Sequence, residues 1–145
     1  MSACRRQAHI DAPVQVIWEL VSNPNRHPEW IPRVVEVECA EIGQGCTYRR
    51  VFKTPVGSDE TTFEIEKLDD CHELVVRCLD SGTFHRFVLT EAAGGTFVDL
   101  EAGMDPRSPT YKLIDVLTGK RFYRRWTEQT LEALATAAGR EQSTA

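Results

Sequence analysis

The segment from Ile10 to Pro32, IDAPVQVIWELVSNPNRHPEWIP, constrains the fold more than any other part of the chain. Pro13 suits the first turn of a helix because its φ angle is fixed near the helical value. Apolar residues then recur at helical spacing, at Val14, Ile17, Trp18 and Val21. The Asn23-Pro24 pair ends that helix. The prolines that flank Trp30 predict a stiff connector whose indole plugs the interior.

The remainder of the chain alternates between strand-like segments and short turns. Six further strands are predicted after the first, which covers residues 3–10: 33–42, 46–53, 61–68, 73–79, 83–89 and 96–102. In the second of these seven strands, Val35, Val37 and Cys39 are expected on one face, and Cys39 is interpreted as a small core residue. Because the connections are short, the strands should pair in antiparallel fashion, without βαβ units. A helix is predicted over 110–138, so the fold class is α+β.

The order of strand, Ala-Pro, helix with a central Trp, and Pro-x-Trp-x-Pro connector resembles the opening of the polyketide cyclase/dehydrase-like proteins of the START/Bet v 1-like (SRPBCC) superfamily. The resemblance is strongest over residues 8–37 and continues more loosely to about residue 137, through the Gly94-Gly95-Thr96 turn. It implies a helix-grip fold: a curved seven-stranded antiparallel sheet wraps around the long C-terminal helix, with one or two short helices after the first strand. It also implies a cavity between sheet and helix, which composition alone does not reveal.

Domain organisation is expected to be simple, with a single domain over residues 1–138 and a flexible polar tail over 139–145. In the C-terminal helix, Leu113, Val116 and Leu117 form an apolar face that should border the pocket. Past Gly119 the apolar face shifts, which predicts a kink. The second half should pack on the sheet through Phe122, Tyr123, Trp126, Thr130 and Leu134.

Charge and cysteine content exclude several classes of function. The formal net charge of −5 does not favour nucleic acid or anionic membranes, and the cluster at Arg121, Arg124 and Arg125 is interpreted as a solvated helix face. Five cysteines without CxxC or zinc spacing suggest reduced thiols in a cytoplasmic protein. No apolar run approaches the roughly 20 residues that span a bilayer. No motif indicates a metal or a cofactor, so neither is expected.

Strand alternation places a few polar side chains on an otherwise apolar inner wall: Tyr48, Arg50, Lys67 and His85. Arg50 is a candidate for pairing with a carboxylate or phenolate, His85 for acid–base work, and Tyr48 for a ligand carbonyl. The blander alternatives are that Arg50 pairs with a glutamate at the rim, Lys67 is solvated, and His85 is a satisfied core residue. The predicted ligand-contacting set is Trp30, Tyr48, Arg50, Phe52, Phe63, Ile65, Lys67, His85, Phe87, Leu100, Leu113 and Leu117.

Three functions remain open on the sequence. The first, and favoured, is binding of a small hydrophobic molecule, lipid-like, isoprenoid or aromatic, in the cavity. The second is a cofactor-independent polyketide cyclase or aromatase, for which His85, Arg50 and Tyr48 are the only catalytic candidates. The third is a protein-interaction role, since the fold also resembles the Hsp90-ATPase-activator-like and ubiquinone-binding branches; it predicts an exposed apolar patch. The chain is expected to be a monomer or homodimer.

Overall fold

The computed structural model describes residues 2–144, which form one seven-stranded antiparallel sheet and a set of helices on its inner face. The strands are β1 (Ser2–Ile10), β2 (Val34–Glu38), β3 (Thr47–Thr54), β4 (Gly57–Asp69), β5 (Glu73–Cys78), β6 (Thr83–Ala92) and β7 (Gly95–Met104). They are ordered β1-β7-β6-β5-β4-β3-β2 across the sheet. This arrangement is the meander that the short connections predict, with β1 returned to the edge beside β7.

The helices follow β1 and β7, as predicted. They are α1 (Val14–Ser22), a 3-10 turn (Pro24–Arg26), α2 (His27–Trp30), α3 (Pro109–Ile114), a π-helical segment (Asp115–Gly119) and α4 (Lys120–Thr144). The Ser108 hydroxyl accepts a hydrogen bond from the Tyr111 N–H at 3.3 Å and caps α3, with Pro109 in its first turn. The three helical segments from Pro109 to Thr144 follow one another without a break. The last of them, α4, packs on β1, β7 and α1. The helix-grip prediction is confirmed.

The connector that the sequence singles out closes one end of the core. The Trp30 indole N–H donates to the carbonyl of Leu20 at 3.0 Å, and its ring meets that of Phe87 edge-on at 6.1 Å between centroids. Both Trp18 and Trp30 are buried in the hydrophobic core. A fixed connector with a satisfied indole holds α2 against the sheet, so Trp30 stabilises the scaffold from behind the cavity wall.

Two β-bulges correct the predicted side-chain directions. In β2 the register shifts between Val34 and Glu36, so that Val34 is buried and Val35 is 53% exposed. In β4 it shifts between Ile65 and Lys67. Lys67 therefore points to the outer face, where its ammonium lies 2.8 Å from the Glu73 carboxylate. Strict alternation had placed Val35 on the same face as the buried Cys39 and Lys67 on the inner face, and both predictions are wrong. The alternative of a solvated Lys67 is confirmed.

The C-terminal helix departs from its predicted end and from one predicted face. It continues to Thr144, beyond the boundary expected at residue 138. Glu141 forms an ion pair with Arg26, which fastens this last part to the 3-10 turn. Only residue 145 of the expected tail lies outside the described residues.

Gly119 ends the π-helical segment and marks the offset that the sequence predicts there. A Cβ at this position would lie 2.4 Å from the carboxylate of Asp115 and 3.0 Å from the hydroxyl of Ser2, so glycine permits the helix to approach β1 closely. The offset also turns the upstream apolar face outward. Leu113 and Leu117 are exposed rather than pocket-lining, because Asp115 occupies the inward position instead.

Candidate ligand cavity

A cavity of about 270 Å³ lies between the sheet and the C-terminal helix. The sheet contributes side chains that include Arg50, Phe52, Thr61, Phe63, Cys78 and His85, and the helical side contributes Tyr111, Ile114, Asp115, Phe122, Tyr123 and Trp126. Its walls are mostly apolar, with a few polar side chains among them, and its charged lining residues are Arg50, Asp59 and Asp115. This is the general make-up of a small-molecule site.

Arg50 is the dominant polar group of the cavity. Its side chain is 5% exposed and lies on β3, with the guanidinium 4.6 Å from the Phe63 ring centroid and 5.4 Å from that of Phe52. Among residues 2–144 no carboxylate lies within ion-pair distance of it, and its Nε has no hydrogen-bond partner there. Burial lowers the pKa of this group, but arginine stays protonated in proteins. The cavity wall therefore carries a desolvated positive charge.

Within residues 2–144, His85 is the hydrogen-bond partner of the Arg50 side chain. Its Nε2 lies 3.3 Å from the Arg50 Nη1. Since a guanidinium only donates, Nε2 accepts and the ring proton resides on Nδ1. Burial is the main cause that holds the pKa of His85 well below its ordinary value of 6.5, and the positive charge of Arg50 and the neighbouring His27 add to it. His85 is therefore a neutral acceptor that orients Arg50.

A row of rings supports these two residues and includes a histidine that the sequence reading left without a role. His27, Tyr48, Phe63, His85 and Trp126 follow one another, with centroid separations of 6.5, 5.7, 5.8 and 4.3 Å. The His27 Nε2 lies 2.8 Å from the Val21 carbonyl. Burial lowers the pKa of His27 to about 4. The hydrogen bond to Val21 acts in the opposite direction, and the charge of Arg50 lowers the pKa further. Both buried histidines are thus neutral near pH 7.

The cavity wall also carries a small hydroxyl network, which joins β6 to the C-terminal helix. The Tyr123 hydroxyl lies 3.0 Å from the Thr83 hydroxyl, which also accepts a hydrogen bond from Ser81 at 2.9 Å. Burial raises the pKa of Tyr123 to about 12. Sequence reasoning assigned Tyr123 and Trp126 to packing on the sheet and did not consider Thr83. The inward alternation of β6, which already placed His85, was the signal that would have found Thr83.

The cavity includes only part of the predicted ligand-contacting set. Arg50, Phe52, Phe63 and His85 line it. Five others are buried in the hydrophobic core and do not line the cavity: Trp30, Tyr48, Ile65, Phe87 and Leu100. Lys67 lies on the outer face, and Leu113 and Leu117 face away from the cavity.

Other kinds of site find little support in the part of the chain that the structure describes. Residues 2–144 contain no group of three or more His, Cys, Asp or Glu side chains that could hold a metal ion. The five cysteines are free thiols. No helix within 2–144 has both the length and the apolar character needed to cross a membrane.

Several solved structures share this architecture at low sequence identity. The ZhuI aromatase/cyclase from Streptomyces sp. R1128 superimposes with a TM-score of 0.75 at 16% identity, covering 95% of this chain and 93% of that one. A START superfamily protein from Mycobacterium smegmatis superimposes with a TM-score of 0.71 at 14% sequence identity, covering 100% of both chains. The AHSA1-like protein from Aeromonas hydrophila superimposes with a TM-score of 0.65 at 12% sequence identity, covering 97% of this chain and 94% of that one. At these identities the likeness establishes a common fold.

Sequence comparison agrees with the structural one. No curated protein sequence matches the chain. A family model described as polyketide cyclase / dehydrase and lipid transport matches residues 1–139, nearly the whole length. The opening segment, the seven-stranded meander and the continuous C-terminal helix all lie within that match. The chain therefore belongs to the polyketide cyclase / dehydrase and lipid transport family.

Proposed function

We propose that the protein binds a small, largely apolar molecule that carries one carboxylate or similar anionic acceptor, with Arg50 as its anchor. The observation that carries this proposal is the buried guanidinium of Arg50, which faces the cavity without a carboxylate partner among residues 2–144. A buried charge without a counter-charge costs several kcal/mol, by order of magnitude. Contact with the rings of Phe63 and Phe52 offsets only part of that cost. An anionic ligand would supply the rest.

The dimensions of the cavity limit the size of the ligand. Its volume of about 270 Å³ falls just below the range of roughly 300–1,000 Å³ that is typical of drug-sized ligands. A one- or two-ring compound or a short branched chain suits such a space, whereas a long folded polyketide would not fit without enlargement. The apolar walls would hold the body of the ligand, and Arg50 would fix its orientation.

A cyclase or aromatase activity is the second candidate, supported by the Arg50–His85 pair and by the architecture shared with the ZhuI aromatase/cyclase. Enzymatic proton transfer needs a group poised near neutral pH. His85 is a poor candidate, since its pKa is depressed and its Nε2 already accepts from Arg50. Tyr48, the third sequence candidate, lies behind the cavity wall. These contacts favour binding over catalysis.

Calorimetric titration with 1-naphthoate, an apolar two-ring carboxylate, tests whether the cavity is the binding site. Thr61 lines the cavity, and its neighbour Thr62 lies exposed on the other face of β4. Thr61→Phe should fill the space and abolish the binding heat, while Thr62→Phe adds the same ring outside and should leave it unchanged. Equal binding by both variants would show that naphthoate binds elsewhere. Mass spectrometry of the recovered naphthoate, and of an added aromatic diketone, would reveal any chemical conversion.

A further inference from the structure

Exposed aliphatic side chains cluster on the first half of the C-terminal helical stretch. Val116 is 81% exposed, Leu117 71% and Leu113 60%. They occupy positions i, i+3 and i+4 and so form one short stripe. Their exposure follows from the π-helical segment, in which Asp115 takes the inward position. Such a stripe of large apolar residues on one helix face indicates an interaction surface.

A basic groove adjoins this apolar stripe. Its charged lining residues are Arg33, Lys120, Arg121 and Arg125, and no acidic residue is among the residues that line it. Within residues 2–144, none of these four forms an ion pair, whereas the cations of the sheet's outer face do, as Arg5, Arg49 and Arg86 illustrate. In a chain with a formal net charge of −5, this groove is a local inversion of charge. Its natural complement is an anionic surface.

From the stripe and the groove together, we infer that this helix face docks on an anionic phospholipid bilayer. Leu113, Val116 and Leu117 would enter the boundary between headgroups and acyl chains, and the groove cations would contact lipid phosphates. The form of the surface favours a bilayer over an acidic protein. Its aliphatic side chains protrude from a helix, and a bilayer accepts protruding side chains without a matching cavity. The sequence-based interpretation of the arginine cluster as merely solvated is replaced by this role.

The docking surface also adjoins the ligand cavity. Thr118, Gly119 and Phe122 line both the cavity and the basic groove, and Ile114 lines the cavity beside Leu113. A docked molecule would hold this side of the cavity against the lipid surface. In this respect the inference deepens the proposed function, because an amphipathic anion could pass between bilayer and Arg50. Docking itself depends only on the surface and not on what the cavity holds.

Vesicle co-sedimentation tests the inference with the full-length protein. Vesicles of phosphatidylcholine alone are compared with vesicles in which one third of the lipid is phosphatidylserine, at low and at high salt. Binding is expected only to the anionic vesicles, and high salt should weaken it because the headgroup contacts are screened. Equal sedimentation with both vesicle types, or none with either, would overturn the inference.

Surface variants locate the contact, and circular dichroism confirms that each is folded. Val116→Ser with Leu117→Ser should reduce vesicle binding by about tenfold or more, by the apolar area removed, whereas Phe97→Ser on the outer face of the sheet should not. The double variant Arg121→Gln and Arg125→Gln should bind anionic vesicles more weakly, by about fivefold for each charge removed. The double variant Thr62→Glu and Thr90→Glu makes the same change in net charge on the outer face of the sheet. It should bind vesicles as well as the wild type does. Equal losses in test and control variants would contradict the assignment.

Two further outcomes separate the alternatives. Binding to soluble poly-glutamate without binding to anionic vesicles would overturn the bilayer in favour of an acidic protein partner. Arg50→Met should still sediment with anionic vesicles, since Arg50 is buried away from the surface. If the wild type does not bind naphthoate but still binds anionic vesicles, the proposed ligand is wrong and the docking surface is supported.

Discussion

The Arg50 Nη1 lies 3.3 Å from the His85 Nε2, although these residues belong to strands β3 and β6, which β4 and β5 separate. Three strand spacings on a flat sheet amount to about 14 Å. The contact therefore combines the curvature of the sheet with the reach of the arginine side chain across Phe63. The curved inner face thus concentrates a charge and its acceptor at the wall of one small cavity.

Replacing Arg50 with methionine should raise the free energy of unfolding while it weakens the binding of an anionic ligand. The variant deletes a buried charge that lacks a carboxylate partner and keeps most of the side-chain volume. The free energy of unfolding should rise by about 1 kcal/mol, because the loss of the contacts with His85 and Phe63 offsets part of the desolvation cost that is removed with the charge. Chemical denaturation of the ligand-free protein measures it.

The neighbouring Arg49 provides the matched control for that substitution. It lies on the opposite face of β3, where it pairs with Glu36, Glu38 and Glu60. Arg49→Met should therefore lower the stability slightly, the opposite sign. If Arg50→Met were clearly destabilising, the charge would already be compensated within the fold, and the argument for an anionic ligand would fail.

Acidification should weaken the fold through its buried histidines. The pKa of His27 in the folded protein is about 4, below its ordinary 6.5, and that of His85 is also depressed. As the pH falls below 6.5 the unfolded chain takes up protons that the folded protein refuses, so stability decreases. Each histidine contributes a slope of about 1.4 kcal/mol per pH unit until its folded pKa is reached. Stability at pH 7 and above should be insensitive to either group.

Histidine variants isolate this effect from the carboxylates. The pKa values of Glu73 and Asp99 are lowered by their basic partners, so those contributions are lost only below about pH 4.5. His27→Gln and His85→Gln should each reduce the slope of stability against pH between 6.5 and 4. A wild-type slope that is flat over this window would show that the two rings are not held neutral.

Two helical glycines should respond in opposite directions to the same substitution. At Gly119 an alanine Cβ would clash with Asp115 and Ser2, whereas at Gly139 nothing lies within 4 Å. Gly139→Ala should stabilise the protein by about 0.5–1 kcal/mol through helix propensity. Gly119→Ala should instead destabilise it by about 1–3 kcal/mol, the usual effect of overpacking. Thermal unfolding of the pair measures both, and equal shifts would show that the π-helical segment relaxes freely.

The sequence allowed the architecture to be predicted because its signals are local. Prolines around Trp30, alternation in β6 and β7 and the short turns each depend on neighbouring residues, and they place His85 and Leu100 inward correctly. Lys67 was misplaced since a bulge shifts the register by one residue, and nothing in the local pattern marks that bulge. Leu113 and Leu117 were misplaced because the π-helical segment rotates their face outward, a consequence of tertiary packing at Gly119.

The candidate site was only partly predictable for a related reason. Alternation indicates which face of a strand a residue occupies, and so it identified both Arg50 and Tyr48 as inward. It does not indicate depth, and Tyr48 proves to lie behind Phe63 in the row of rings. The hydroxyl network of Thr83 and Tyr123 joins a strand to a helix 40 residues further along the chain. Such contacts depend on the packed fold rather than on any sequence window.

Titration of wild-type protein and Arg50→Met with 1-naphthoate and with its uncharged analogue 1-naphthamide tests the central claim most directly. If Arg50 anchors an anionic group, the wild type should bind naphthoate at least about tenfold more tightly than naphthamide, since a desolvated charge-assisted contact contributes about 1.5–3 kcal/mol. Arg50→Met should lose that preference and retain the weaker naphthamide affinity. Equal affinities for the two compounds in the wild type, or an unchanged preference in the variant, would contradict the account.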